Sequence, residues 1–412
     1  MIPRGTPDIG WCDLIAGLTY FILPTSAKRE QDQVESIWSS REDCVACLSV
    51  RSGFDLALRA LAFPPGSEIL VSAITIPDMV RLLEAHQLVP VPLNVDHQTL
   101  AVDPQAVARA ITPRTKAILI AHLFGSRMPL DAIANVALKY GLVLFEDCAQ
   151  AYDGSDYRGN ACSDVSMFSF GSIKTATALG GGLLRFRDRE LLSRVRSLQE
   201  NYVRQSHRRY FQRLVRFYVL KLLATTTGFG LLAMGCGALR MDLDGLLRKA
   251  VRGFSGSDWL SQVRQLPCGP LLRMLNRRLR QVHSNRVQRR VNYAGRILSA
   301  IPPATHIGST AWLHSHWVLP VASRDPDGLI QRLRKNGFDA TRSASSMTVV
   351  GINDLATQPP IEAATWFRGV VYLPMYPHMS NKTALQLAAH ITDFEINDGH
   401  FATNLSTRFP PT

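Results

Sequence analysis

Between Cys47 and Leu192 the chain switches repeatedly between two hydrophobic patterns, and this alternation restricts its fold more than any other feature. Short apolar runs rich in β-branched residues ("EILVSAI", "VPVPLNV", "KAILIAHL", "LVLFED", "VSMFSF") are separated by amphipathic stretches ("DMVRLLEAHQ", "DPQAVARAI", "PLDAIANVALKYG"). Strand–helix–strand alternation predicts an α/β fold with a mostly parallel sheet flanked by helices. Sheets of this kind receive ligands at the carboxyl ends of their strands. The residues at those ends therefore carry the functional reading.

The rest of the chain divides around this block. Residues 1–45 read as an N-terminal arm and helices, 46–199 as the large α/β domain, 200–284 as a helical, basic and apolar insertion, and 285–412 as a smaller C-terminal α+β domain. In the last, "WLHSHWVLPV" and "VVYLPMYP" read as strands, and "SNKTALQLAAHITDF" as a helix with Ser380 as its N-cap. The net charge of +13 is nearly all arginine. Those arginines alternate with leucine at helical spacing and match no nucleic-acid-binding module, so no nucleic-acid partner is expected. Cys44 and Cys47 form one CxxC with no second pair at zinc-ligand spacing, so no metal is expected either. The absence of a disulfide framework, and of a cleavage site after the apolar N-terminal helix, reads as a cytoplasmic protein.

Lysine is scarce, at positions 28, 116, 139, 174, 221, 249, 335 and 382. Lys139 and Lys335 end helices, where a cation suits the helix dipole. Lys28, Lys116, Lys249 and Lys382 lie in polar surroundings, and Lys221 lies among leucines with no carboxylate near in sequence. Lys174 differs, standing in the turn after "MFSFGSIK" and ahead of a glycine run. Neither Gly-rich phosphate signature surrounds it. A buried lysine of this kind suits Schiff-base chemistry, and pyridoxal 5'-phosphate (PLP) makes three demands on a protein. It needs a lysine, here Lys174. It needs an acidic residue to keep its ring nitrogen protonated, here Asp147 at the end of "LVLFED". It needs N–H groups at a helix start for its phosphate, here "RSGFDLALRAL", with Ser52 and Gly53 in a tight turn and Phe54 and Asp55 opening the helix.

"SGFDLAL", "HLFGSRMPLDAI", "FEDCAQAYDG", "MFSFGSIKTATALGGGLLRFRD" and "YLPMYPHMS" together resemble the DegT/StrS sugar-aminotransferase family over roughly residues 45–200 and 285–395. The resemblance implies a fold-type I PLP transferase. It assigns Lys174 as the catalytic residue and internal aldimine, Asp147 to the pyridine nitrogen and Gln150 to the region of the ring hydroxyl. Ser169 and the Gly53–Asp55 turn fall to the phosphate. It further implies a homodimer, a role of the kind that feeds polysaccharide biosynthesis, and transfer of an amino group from an amino acid, typically glutamate, to a nucleotide-linked keto-sugar. Phe54 stands where the family usually has Thr, and Ile76 where an aromatic often covers the ring. The segment that supplies a partner-subunit asparagine is replaced by "RSLQENYVRQSHRRYFQRL". Another PLP reaction, such as elimination on an amphiphilic or lipid-linked substrate, is the second reading, and a non-catalytic regulator the third. The family's dehydratase branch carries histidine in place of the lysine, which sets it apart from this chain.

Arg342 in "GFDATRSASS" and His316 in "WLHSHWVLP" are candidate substrate contacts, and His314 and His316 are expected on one face of a strand. Within about 205–255, "RRYFQRLVRF" precedes an apolar stretch at 217–239 long enough to span a bilayer. Three readings stand for it: a buried hairpin, an enlarged dimer interface, or peripheral contact with the cytoplasmic membrane face.

Overall fold

The computed structural model describes residues 1–251, 254, 256, 258–281, 284–342, 346–351, 360–375 and 379–397. The chain opens with α1 (Trp11–Ile22) and α2 (Ala27–Trp38), then enters a seven-stranded sheet. Its strands are β1 (Cys44–Cys47), β2 (Glu68–Ser72), β3 (Val89–Leu93), β4 (Thr115–Ala121), β5 (Val143–Asp147), β6 (Val165–Ser169) and β7 (Gly182–Phe186). They lie in the order β1-β7-β6-β5-β4-β2-β3, and every pairing is parallel except the two made by β7. The connecting helices are α3 (Val50–Leu61), α4 (Pro77–Ala85), α5 (Pro104–Ala110) and α6 (Asp131–Tyr140).

The expected sheet is present for the expected reason. Its central strands are apolar on both faces and must be covered on both. Ile69 and Val71 of β2, with Ala117 and Leu119 of β4, enter one core; Leu70, Ile118 and Ile120 enter the other. The two-residue period of a strand thus sorts one apolar run into two layers.

After β7 come α7 (Arg189–Glu200), α8 (His207–Leu223), α9 (Thr226–Ala238), α10 (Leu243–Val251), α11 (Trp259–Val263), α12 (Gly269–Arg280) and α13 (Ser284–Leu298). Of these, α12 packs on α2 and α1, so the arm at the start of the chain is built into the large unit. The C-terminal unit holds α14 (Pro326–Lys335), α15 (Ile361–Arg368) and α16 (Asn381–Asn397) around an antiparallel pair, β8 (Leu319–Ala322) and β9 (Val370–Leu373). Ser380 does cap α16, its Oγ accepting from Thr383 N–H at 3.1 Å. The expected "WLHSHWVLPV" strand is interrupted. Leu313 and His314 pair with Arg127 and Ser126, the backbone turns at His316 with φ +47°, and pairing resumes at Leu319. Residues 398–412 and parts of "TRSASS" and "PMYPHM" lie outside the described residues.

Candidate active site

The carboxyl edge of the sheet gathers the polar residues. β4 is followed by His122, β5 ends in Asp147, β6 ends in Ser169, and Gly182 of β7 lies opposite both Ser169 and Cys47. Asp147 is 8% exposed. Its Oδ1 accepts the N–H of Ala149 at 2.9 Å, and its Oδ2 accepts no hydrogen bond among the described residues. Burial pushes its pKa up, opposed by the Ala149 N–H and by the charge of Lys174. This is a carboxylate with room for a cationic partner.

Lys174 follows β6 in a tight turn closed by its own N–H on Gly171 O at 3.1 Å. Its Nζ lies 4.2 Å from the centre of the Trp317 ring. Burial draws its pKa down to about 8, Asp147 opposing and Arg51 adding to the effect. Four distant groups fix the turn. Ile173 O accepts Trp317 Nε1–H at 2.8 Å, and Ala176 N–H donates to Asp8 Oδ2 at 2.9 Å. Thr177 O accepts Arg278 Nε–H at 3.1 Å, and Leu179 O accepts from Arg213 Nη1 at 2.9 Å. Ala176 and Leu179 have left-handed backbones, φ +56° and +69°, costing on the order of 1–3 kcal/mol each. The surrounding bonds hold that strain in place. Asp8, Arg213, Arg278 and Trp317 lie far from Lys174 in sequence, and no local pattern marks them.

The helix start differs from the sequence expectation. α3 begins at Val50, not at Phe54: Ser49 is its N-cap, with Oγ accepting Ser52 N–H at 3.2 Å. The free first-turn N–H groups are therefore those of Val50 and Arg51. Gly53, Phe54 and Asp55 lie inside the helix. Gly53 N–H donates to Ser49 O, and a Cβ there would come within 2.2 Å of Leu184. Phe54 packs edge-on against Phe145 in the core. Asp55 is fully buried, accepting from His86, Tyr202 and Arg264 at 2.7 to 3.0 Å. Burial would raise its pKa, but these three partners hold it below the usual carboxylate range. The open start of α3 is thus at Ser49–Arg51, beside Ser169 and Gly182. A Cβ on Gly182 would lie 2.5 Å from Val50 N, so only glycine lets β7 approach this closely.

Gln150 is buried, with its Oε1 on the Phe124 N–H at 2.8 Å and its Nε2 on Met347 Sδ at 3.0 Å. Ile76 sits at the N-cap of α4, half-buried against both large cores. His316 does not alternate with His314 along a strand. The two rings stack at 4.0 Å, and burial, with the charge of Arg290, pushes His316 down to about 4. Arg342 lies apart from the residues gathered at the sheet edge in its hydrogen bonds. Its guanidinium is exposed, bonded to Arg368 O and 3.6 Å from Asp327.

His122, Glu146 and Cys148 have donor atoms within 4.8 Å of one another. Glu146 is nonetheless saturated: Oε1 takes His122 Nε2–H at 2.9 Å and the Tyr157 hydroxyl, and Oε2 takes Ser166 Oγ–H and Asn160 N–H at 2.8 Å each. His122 Nδ1 accepts Met128 N–H. These bonds fix the strand end next to Asp147.

The donor set fits PLP. A lysine amine with a lowered pKa, a buried carboxylate with an unused oxygen, and an open helix start lie on one sheet edge. They answer the three demands of the cofactor: an amine, a counter-charge for the ring nitrogen and an anion cradle.

Residues 33–233 match the sequence profile of the DegT/DnrJ/EryC1/StrS aminotransferase family. A protein of Streptomyces paromomycinus named L-glutamine:2-deoxy-scyllo-inosose aminotransferase is 35% identical over 177 residues, 42% of this chain and 42% of that protein. The match thus spans less than half of that relative's length. The crystal structure of the aminotransferase TlmJ from Streptoalloteichus hindustanus superposes with a TM-score of 0.69 at 20% identity, covering 95% of this chain and 98% of the other. That of NtdA from Bacillus subtilis, with bound PMP, gives 0.62 at 18%, covering 92% and 81%. At these identities the two structures establish the fold.

Proposed function

From the match of residues 33–233 to the DegT/DnrJ/EryC1/StrS aminotransferase profile, we propose that the chain is a PLP-dependent aminotransferase of that family carrying an amino group from an amino acid to a keto-sugar. The observation that supports this most is the pairing of Lys174, its pKa drawn to about 8, with the under-bonded carboxylate of Asp147. Lys174 and Asp147 would hold the cofactor at its reactive carbon and ring nitrogen, and Ser169 with the Ser49–Arg51 helix start at its phosphate. When bound, PLP supplies an electron sink that stabilises the negative charge left at the donor's Cα.

The chain's own residues supply the proton traffic and the exclusion of water. A lysine with a pKa near 8 is partly neutral at physiological pH, so Lys174 Nζ can accept the donor's Cα proton and later return it. Asp147 keeps a proton on the ring nitrogen because that proton neutralises a carboxylate the protein has buried. Gln150, pinned at both ends, and Ile76 close the sides. The donor screen sets glutamate beside glutamine, the donor in the relative's name. The same reading carries a homodimer, a cytoplasmic place of action and peripheral membrane contact through about 205–255.

Purified holoenzyme should absorb in the visible, and borohydride should fix the cofactor to Lys174. A label on another lysine, or no spectral change with any amino donor, would overturn the assignment.

A further inference from the structure

A cavity of about 210 Å³ opens on the Lys174 turn from the side of the N-terminal arm. Its lining mixes two chemistries. The charged and polar part holds Lys174, Thr175, Arg290, Arg286, Arg4 and a single carboxylate, Asp8. Arg290, on α13, is buried; its Nε–H donates to Ser315 O at 3.0 Å, and Nη1 and Nη2 reach Thr175 Oγ1 only at 3.4 and 3.5 Å. Among the described residues no carboxylate forms an ion pair with it, and burial draws it down to about 10. A buried guanidinium with N–H groups to spare is matched by an oxyanion.

The rest of the lining is largely apolar: Leu220 and Leu223 of α8, Ala224 that caps it, and Phe229 and Leu232 of α9. The two helices meet at 96°. The bend is built in: Gly228 N–H donates to the capping Thr225 Oγ1 at 3.1 Å, and a Cβ on Gly228 would come within 2.7 Å of Leu222 O. The same helices leave an apolar outer face, with Leu222, Leu231 and Met234 59%, 61% and 65% exposed. Next to it α1, whose Trp11 meets Tyr218 of α8 at 5.9 Å, exposes Ile15 and Ile22. Neither α8 nor α9 contains an acidic residue, while Arg208, Arg209 and Arg216 are exposed on α8. An apolar face on two helices that carry cations and no carboxylate is complementary to an anionic lipid surface. Among the described residues no single helix is long and apolar enough to cross a membrane; α8 and α9 reach that length and composition only together, across their 96° bend.

We propose that the acceptor is lipid-borne: a keto-sugar joined through phosphate to a hydrocarbon chain, with the phosphate at Arg290 and the chain along the apolar wall of α8 and α9. This deepens the aminotransferase reading and rests on it. A water-soluble nucleotide-linked sugar would meet hydrocarbon where it needs polar partners, and its desolvation would go uncompensated. A hydrocarbon chain gains from the same wall, about 0.8 kcal/mol per methylene buried.

The test uses holoenzyme and three probes: dodecyl phosphate, inorganic phosphate, and vesicles of phosphatidylcholine with or without one quarter phosphatidylglycerol. Dodecyl phosphate should bind at least tenfold tighter than inorganic phosphate by calorimetry. Ala224→Phe, which fills the chamber, and Leu232→Gln, which makes it polar, should each remove most of that advantage. Protein should float with the anionic vesicles at low salt, and the pair Leu222→Glu and Leu231→Glu should abolish flotation. Equal binding of the two phosphates, full dodecyl phosphate binding in both chamber variants, or no flotation would overturn the proposal. Dissociation of a dimer by the exposed-face pair would also overturn it, since a second copy would then cover that face. The amino-donor half-reaction of the unsubstituted holoenzyme is followed separately. Its absence would sink the aminotransferase reading whatever the binding results.

Discussion

Lys174 and Asp147 set each other's protonation, and two predictions follow at this scale. The neutral amine is the form that combines with a carbonyl, so the rate at which apoprotein takes up PLP should rise with pH and level off above about 8. A midpoint near a lysine's usual value, followed by absorbance, would show that burial does not tune this amine. Stability moves in the same direction. Because the folded pKa is lowered, the unfolded chain holds the extra proton between about 8 and 10.5, and apoprotein should gain stability from this group as pH rises through that window. Asp147→Asn keeps the shape of the strand end but removes the counter-charge. It should leave melting near wild type and slow the donor half-reaction by on the order of a hundredfold or more, read by stopped-flow absorbance. Near-normal turnover would remove Asp147 from its assigned role.

At the scale of elements, the site depends on how closely β7 approaches the start of α3. Gly182→Ala would put a Cβ 2.5 Å from Val50 N and 2.6 Å from the Ser49 carbonyl carbon. Backbone must give way, so PLP affinity should fall at least tenfold, with a loss of about 1–3 kcal/mol in stability. Unchanged affinity by fluorescence titration would mean that the Ser49–Arg51 turn does not hold the phosphate. This same turn shows where sequence is readable and where it is not. Strands β2 to β6 and the positions of Asp147, Ser169 and Lys174 were legible because strand ends follow directly from apolar runs and the turns after them; β1 and β7, short runs beside polar or glycine-rich sequence, were not read as strands. The α3 start was misplaced by four residues: "SVRSGFD" offers several small or polar residues, and the capping one, Ser49, is identified only by where β1 stops. His314 and His316 do face the same way, their rings stacking at 4.0 Å, but the strand expected to carry them breaks at His316, because a positive φ in a non-glycine residue leaves no mark in composition. Arg278 and Arg213 were invisible as supports of the lysine turn, since their partners are carbonyl oxygens more than 30 residues away.

At the scale of the whole molecule, two kinds of surface compete to be covered. The family resemblance implies a homodimer, and the bent α8–α9 pair with α1 presents an apolar face that a dimer seam could use. Charge argues for a different use. The chain carries +13, and the outer side of α8 adds arginines with no acidic residue on either helix. Bringing two such faces together would set like charges against each other, whereas an anionic lipid surface would neutralise them. The seam should therefore lie elsewhere on the molecule, and the two associations should respond differently to salt. Exposed charges are screened beyond about 10 Å at 0.1 M ionic strength. Vesicle flotation should thus weaken several-fold between 0.05 and 0.5 M salt (~tenfold in ionic strength), while light scattering continues to give twice the chain mass. The Leu222→Glu, Leu231→Glu protein should scatter as the same dimer and stay out of the floated fraction. A fully active monomer would remove the homodimer from the reading. A dimer that falls apart with this pair of substitutions would place the seam on the hairpin and leave the lipid surface without a site.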